Sequence, residues 1–166
     1  MQEEASNKVS VRAVLMDYLA RREHSQHELR TKILKRLGSV AEVEIEEALG
    51  SLADEGLQSD ERFTESLCRQ RINKGYGPNF LQQLAREKGI NKDQLSDALT
   101  TLAPDWFDCA QETLRKKFTK PIDSSLDYAE RRKELQKRMR FLSYRGYPSS
   151  VISAVVAAEE DVNEDD

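Results

Sequence analysis

Lys74-Gly75-Tyr76-Gly77-Pro78-Asn79-Phe80-Leu81 is written again, 71 residues later, as Arg145-Gly146-Tyr147-Pro148-Ser149-Ser150-Val151-Ile152. Each copy closes one helix with a cation, stops it with Gly, adds an aromatic ring and opens the next helix. Arg22-Glu23-His24-Ser25-Gln26-His27-Glu28-Leu29 is a blurred third copy, 52 residues before the first. Self-similarity of this kind marks a chain assembled from repeated helical units. Glu55-Gly56-Leu57 and Lys88-Gly89-Ile90 have the same charged–Gly–apolar form, that of a helix C-terminus whose next side chain folds back on the last turn. Helix starts are as plain. Ser25-x-x-Glu28 predicts a capping box and Asn91-x-x-Gln94 a looser one. Asp60 is placed to cap the helix carrying Phe63, and Pro78 suits a first helical position.

Between these signals apolar residues recur at helical spacing: Val11, Leu15, Leu19; Leu29, Ile33, Leu37; Ile45, Leu49, Leu52; and onward to Ile152, Val155, Val156. Strand alternation is missing, so the expectation is an all-α chain of about nine helices. With 38% hydrophobic and 34% charged residues in 166, narrow apolar stripes and wide charged faces favour an extended array of helical units over a thick globule. The expected units are residues 1–58, 59–104 and 105–158, followed by an acidic disordered tail at 159–166. Thr119 to Ser125 is the longest break and the expected flexible joint.

The net charge of −4 hides a polarity: the last eight residues carry six carboxylates and no cation, leaving the remainder at +2. Cations gather at Arg21 to Arg36, Arg62 to Lys92 and Arg115 to Arg145. Cys68 and Cys109 have no paired spacing, which points to a reducing compartment. No signal peptide and no apolar run of membrane length is found, so a cytoplasmic chain with no membrane association is expected.

Enzyme signatures are missing, and no catalytic residue, cofactor or metal is expected. His24-x-x-His27 lacks a third ligand and reads as an exposed turn. Gly75-Tyr76-Gly77 has neither the preceding strand nor the Gly-Lys-Ser/Thr of a phosphate loop. The binding candidates are the basic corners: Arg69, Arg71, Lys74 and Tyr76; Arg138, Arg140, Arg145 and Tyr147; and Arg21 with Arg22. Cations beside rings suit phosphate neutralisation with stacking, or an acidic protein groove. The acidic end is a second candidate, as an internal competitor for those corners.

Four elements resemble the bacterial RecX regulatory proteins. They are Gly56-Leu57-Gln58-Ser59-Asp60-Glu61-Arg62-Phe63; Lys74-Gly75-Tyr76-Gly77-Pro78 leading to Lys88-Gly89-Ile90; Ser25-Gln26-His27-Glu28-Leu29-Arg30; and Phe141-Leu142-Ser143-Tyr144-Arg145-Gly146-Tyr147. The chain departs from the family pattern at Leu57, Gln58 and Ser59, where a Tyr, an apolar residue and an Asp are usual. The resemblance implies a curved array of tandem three-helix repeats that lies in the groove of the RecA–DNA filament. It implies inhibition of RecA ATP hydrolysis, strand exchange and SOS coprotease activity, and so a role in homologous recombination and DNA repair. On this reading the partner is the RecA nucleoprotein filament, single- or double-stranded DNA is touched weakly, and the chain acts as a monomer. Charge reversal at Lys74 and Arg145 is expected to weaken inhibition while leaving stability nearly unchanged. Two rivals are a helix-turn-helix-like DNA binder, with readers at Asn79 to Lys88 and Ser149 to Ala158, and a helical-repeat scaffold for another acidic protein.

Overall fold

The computed structural model describes residues 10–161. Among them are nine helices and no strand: α1 (Val11–Arg21), α2 (Gln26–Leu37), α3 (Glu42–Asp54), α4 (Asp60–Asn73), α5 (Pro78–Glu87), α6 (Lys92–Leu102), α7 (Trp106–Lys117), α8 (Tyr128–Tyr144) and α9 (Ser149–Asp161). The substantial helix–helix packing falls inside the triplets α1–α3, α4–α6 and α7–α9. The chain is thus an all-α array of three-helix repeats.

Each triplet closes over its own apolar cluster. Val11, Val14, Leu15, Leu29, Ile33, Ile45, Leu49 and Leu52 form the first. Phe63, Cys68, Leu81, Ala85, Ile90, Leu95 and Ala98 form the second. Ala110, Leu114, Leu142, Tyr147, Ile152, Val155 and Val156 form the third. Trp106 packs against both the second and the third, so one indole joins the two. Burial raises the Cys68 thiol to about 11, making it an inert core group.

The expected helix ends are largely found. Gly56, Gly75, Gly89 and Gly146 all take positive φ, and Pro78 sits at the start of α5. The starts differ in detail. The Ser25 side chain accepts from the Glu28 N–H, but the Glu28 carboxylate turns away to Arg22 and Lys88, so only half of that box forms. The Asn91–Gln94 box is complete in both directions. α4 is capped by Ser59 rather than Asp60. Asp60 instead accepts from the Gln26 N–H at 2.9 Å and from the Gln58 amide at 2.9 Å.

The C-terminal end also differs from expectation. α9 continues through Asp161, so residues 159–161 are helical and not a disordered tail; residues 162–166 lie outside the described residues. Arg138, buried on α8, donates two hydrogen bonds to the Glu159 carboxylate on this last stretch of α9, at 3.0 and 2.8 Å. The same guanidinium donates to the Lys120 carbonyl at 2.9 Å, and Ile122 is buried. The Thr119 to Ser125 break is therefore pinned at two points.

Candidate functional site: the junction of the repeated turns

The two copies of the repeated sentence meet. The Gly77 N–H donates to the Arg145 carbonyl at 2.8 Å, and the Asn79 N–H donates to the Gly146 carbonyl at 2.9 Å. The α4–α5 turn and the α8–α9 turn are thus stapled backbone to backbone, as two extended segments would be. Glycine is needed on both sides of this approach. A Cβ on Gly77 would lie 2.6 Å from the Gly146 carbonyl oxygen, and one on Gly146 would lie 2.5 Å from the Phe80 nitrogen.

Side chains complete the clasp. Arg145 lies 4.8 Å from the Tyr76 ring centre and 5.3 Å from that of Phe141, and donates to the Lys74 carbonyl at 2.9 Å. Tyr76 stacks on Phe80 at 4.1 Å. Tyr147 is buried and meets the Trp106 indole edge-on at 6.5 Å. Its hydroxyl lies 3.3 Å from the Thr113 hydroxyl. Because Thr113 donates its one proton to the Cys109 carbonyl at 2.7 Å, Tyr147 is the donor in that pair. Burial holds the Tyr147 phenol above its ordinary pKa.

These contacts sort the corner candidates. Lys74, Arg69 and Arg140 are exposed, and Tyr76, Arg71 and Arg145 half-buried. Arg138 and Tyr147 are buried and occupied within the third triplet. Arg145 is a clasp as well as a charge, so reversing it disturbs the junction; the expectation of a stability-neutral change there does not hold for this geometry. Arg21 pairs with Asp17 at 3.1 Å and Arg22 with Glu28 at 3.0 Å.

Beside the clasp opens a cleft of about 560 Å³, lined in part by Asn73, Lys74, Lys116, Lys117, Glu112 and Arg145. Lys116 and Lys117 are functional candidates that the corner pattern missed. Their signal was the cationic last turn of α7, Arg115-Lys116-Lys117, which favours its own helix dipole and so reads locally as capping. Glu112 is the one carboxylate of the cleft lining and pairs with Lys116 at 2.6 Å. The cleft is left with a net positive field suited to phosphate or carboxylate.

The blurred third copy docks as well, against the α5–α6 turn. The Ser25 hydroxyl donates to the Lys88 carbonyl at 2.9 Å, Lys88 pairs with Glu28 at 2.7 Å, and His27 lies where a Gly89 Cβ would be, at 2.5 Å. Gln58 is buried and donates to the His24 carbonyl at 3.2 Å. The chain's own departure from the family pattern at that position thus serves the first junction. His24 is buried too, contrary to the exposed turn expected. Its Nδ1 faces the Arg22 carbonyl at 3.0 Å and its Nε2 faces Lys32 at 3.1 Å, which leaves neither ring nitrogen for a metal.

Burial holds the His24 pKa below its ordinary 6.5, with the Arg22 and Lys32 charges acting in the same direction. The folded state therefore favours the neutral ring. As pH falls below about 6.5 the unfolded chain takes up the proton first, so stability declines until the folded ring protonates. Burial pushes the Glu28 carboxyl up, but hydrogen bonds from Arg22 and Lys88 bring it below 4.5, so its loss of stability begins only at lower pH. A His24→Gln variant should melt with a flatter pH dependence between pH 6.5 and the carboxylate range. An unchanged slope there would rule His24 out as the source.

Three helix triplets, the second and third joined at glycine–tyrosine turns beside a cationic cleft, define a helical-repeat protein. Residues 59–99 match the RecX second three-helix domain and residues 104–156 the RecX third three-helix domain. The chain is 35% identical over 154 residues to the regulatory protein RecX of Pseudomonas putida (strain W619), covering 92% of each chain. It is 37% identical over 154 residues to that of Pseudomonas tolaasii, covering 92% of this chain and 93% of the relative. A crystal structure of regulatory protein RecX superposes with a TM-score of 0.69 at 25% identity, over 87% of this chain and 70% of that one. RecX from Lactobacillus salivarius shares the fold, with a TM-score of 0.72 over 90% of this chain and 94% of that one. The chain belongs to the RecX family of regulatory proteins.

Proposed function

We propose that this chain regulates the RecA recombinase by seating on the RecA–DNA filament, where it restrains DNA-stimulated ATP hydrolysis, strand exchange and the coprotease activity that triggers the SOS response. The observation that supports this most is the cationic cleft at the second junction, with Lys74, Lys116, Lys117 and Arg145 around one already paired carboxylate. An array of small helical units offers a long surface with little core, which suits a groove. Its cations suit the phosphates or acidic side chains lining such a groove. The chain acts as a non-enzymatic monomer in the cytoplasm on this reading, with Lys74, Lys117, Tyr76 and Arg69 as contacts.

RecA ATPase on single-stranded DNA, titrated with the protein, should fall. Lys74→Glu combined with Lys117→Glu avoids the clasp, since both side chains are exposed. That pair should raise the half-inhibitory concentration at least about tenfold, equivalent to about 1.4 kcal/mol, with stability lowered only by the two reversed helix-end charges, about 1 kcal/mol. Undiminished inhibition by the pair would remove the cleft from the contact, and no inhibition by the parent chain would end the RecA reading.

A further inference from the structure

We infer that the outer face of α8 is a binding track for single-stranded nucleic acid, separate from the junction cleft. Along this helix Tyr128, Arg132, Gln136, Arg140 and Tyr144 follow one another at steps of four residues, and all five are exposed. Each four-residue step turns about 40° further round the helix, so the row winds obliquely across the exposed side of α8 over about 24 Å, with Tyr128 and Tyr144 at its two flanks. The ladder reads ring, cation, amide, cation, ring.

Nothing among the described residues accounts for it. Tyr128 and Tyr144 are 79% and 85% exposed, so neither ring contributes to the core. Among the described residues none of the five side chains has a hydrogen bond, an ion pair or a ring contact. Lys133 lies beside the ladder, also exposed and without an ion pair among the described residues. The nearby carboxylates are already directed elsewhere: Glu130 accepts from the Asp127 N–H at 3.3 Å, and Glu134 lies 3.9 Å from Lys137.

The chemistry selects the occupant. Unpaired guanidinium groups at regular spacing call for a polyanion. Cations alone would serve any acidic surface, but largely exposed phenol rings at both ends offer faces on which unpaired bases stack. A duplex keeps its bases stacked on one another and has none to offer those rings. The exposed side of α8 therefore fits the sugar–phosphate of a single strand that crosses it obliquely over Arg132 and Arg140, with a base against Tyr144 at one end and, further round the helix, Tyr128 at the other. Only the biological source of such a strand, the DNA within a recombinase filament, rests on the function proposed above.

The test uses the full chain without recombinase: fluorescence anisotropy with a 20-nucleotide oligothymidine, the same strand carrying abasic sites, an RNA of equal length and a duplex of equal length. The single strands of either sugar should bind more tightly than the duplex. Arg132→Gln with Arg140→Gln should weaken binding about tenfold and flatten the log–log salt slope by about 1.4, the loss of two phosphate contacts. Tyr144→Ala should weaken the base-bearing strand about tenfold and leave the abasic strand unchanged. Lys74→Glu with Lys117→Glu should leave oligonucleotide binding by this track in place, which separates its failure from that of the junction cleft. Preference for the duplex, equal sensitivity of abasic and base-bearing strands to Tyr144→Ala, or equal competition by polyglutamate would overturn the inference.

Discussion

Gly146→Ala is expected to lower the melting temperature by roughly 10 °C, equivalent to about 3 kcal/mol for a chain of this size. Two costs combine there. Gly146 has φ +89°, a conformation that strains any residue with a Cβ. A Cβ would also stand 2.5 Å from the Phe80 nitrogen, and backbone cannot step aside as a flexible side chain can. Two companion variants separate the terms. Gly56 has φ +72° with no atom within 4 Å of a Cβ, so Gly56→Ala should cost only the strain, about 1 kcal/mol. Gly77 has an ordinary φ of −92°, so Gly77→Ala carries only the collision with the Gly146 carbonyl, about 1–3 kcal/mol. Thermal melting of the three should rank Gly146 first. If Gly77→Ala and Gly146→Ala both melt like Gly56→Ala, the two turns do not interlock.

Ending the chain after Ala158 should destabilise it by about 3 kcal/mol, whereas ending it after Asp161 should change little. The shorter truncation removes Glu159 and leaves the Arg138 guanidinium, only 4% exposed, without its bidentate partner. An uncompensated buried charge costs more than the pair itself contributes. The nearby Lys120 carbonyl and Phe118 ring, 4.9 Å from the guanidinium, replace only part of that. Removing both charges with Arg138→Met in the shorter chain should restore most of the stability, because a methionine fills the site without requiring a counter-ion. Chemical denaturation of the four chains reads this directly. Equal stability of the chains ending at 158 and 161 would show that Glu159 does not hold Arg138. The same contrast bears on RecA assays of the acidic end: a chain ending at Ala158 confounds loss of charge with loss of folding, and a chain ending at Asp161 does not.

Features that depend on a few neighbouring residues were legible in the sequence. The helix stops at Gly56, Gly75, Gly89 and Gly146 could be read because a left-handed residue after a helix is a local requirement. The triplet cores could be read because periodicity is local too. What could not be read depends on partners far along the chain. Glu28 abandons its half of the capping box because Lys88, 60 residues away, competes for it. Asp60 gives up the α4 cap because the Gln26 N–H needs an acceptor. The same physics divided the corner candidates: Arg138 and Tyr147 have the residue types of a binding corner, yet one neutralises Glu159 and the other fills the third core. Lys116 and Lys117 entered the cleft only when α7 was brought against the α4–α5 turn. The i, i+4 row on α8 was present in the sequence from the start, but its meaning required knowing that none of the other described helices covers it.

The junction also determines how the array carries load. Between α6 and α7 the covalent connection is only Ala103 to Asp105, and three residues of turn resist bending poorly. The Gly77–Arg145 and Asn79–Gly146 hydrogen bonds span that bend from the other side, much as a strut braces a hinge. A force that opens the angle between the second and third triplets therefore pulls first on two peptide hydrogen bonds and the Arg145 clasp. The twice-written sentence thereby sets the stiffness of the molecule between its second and third triplets.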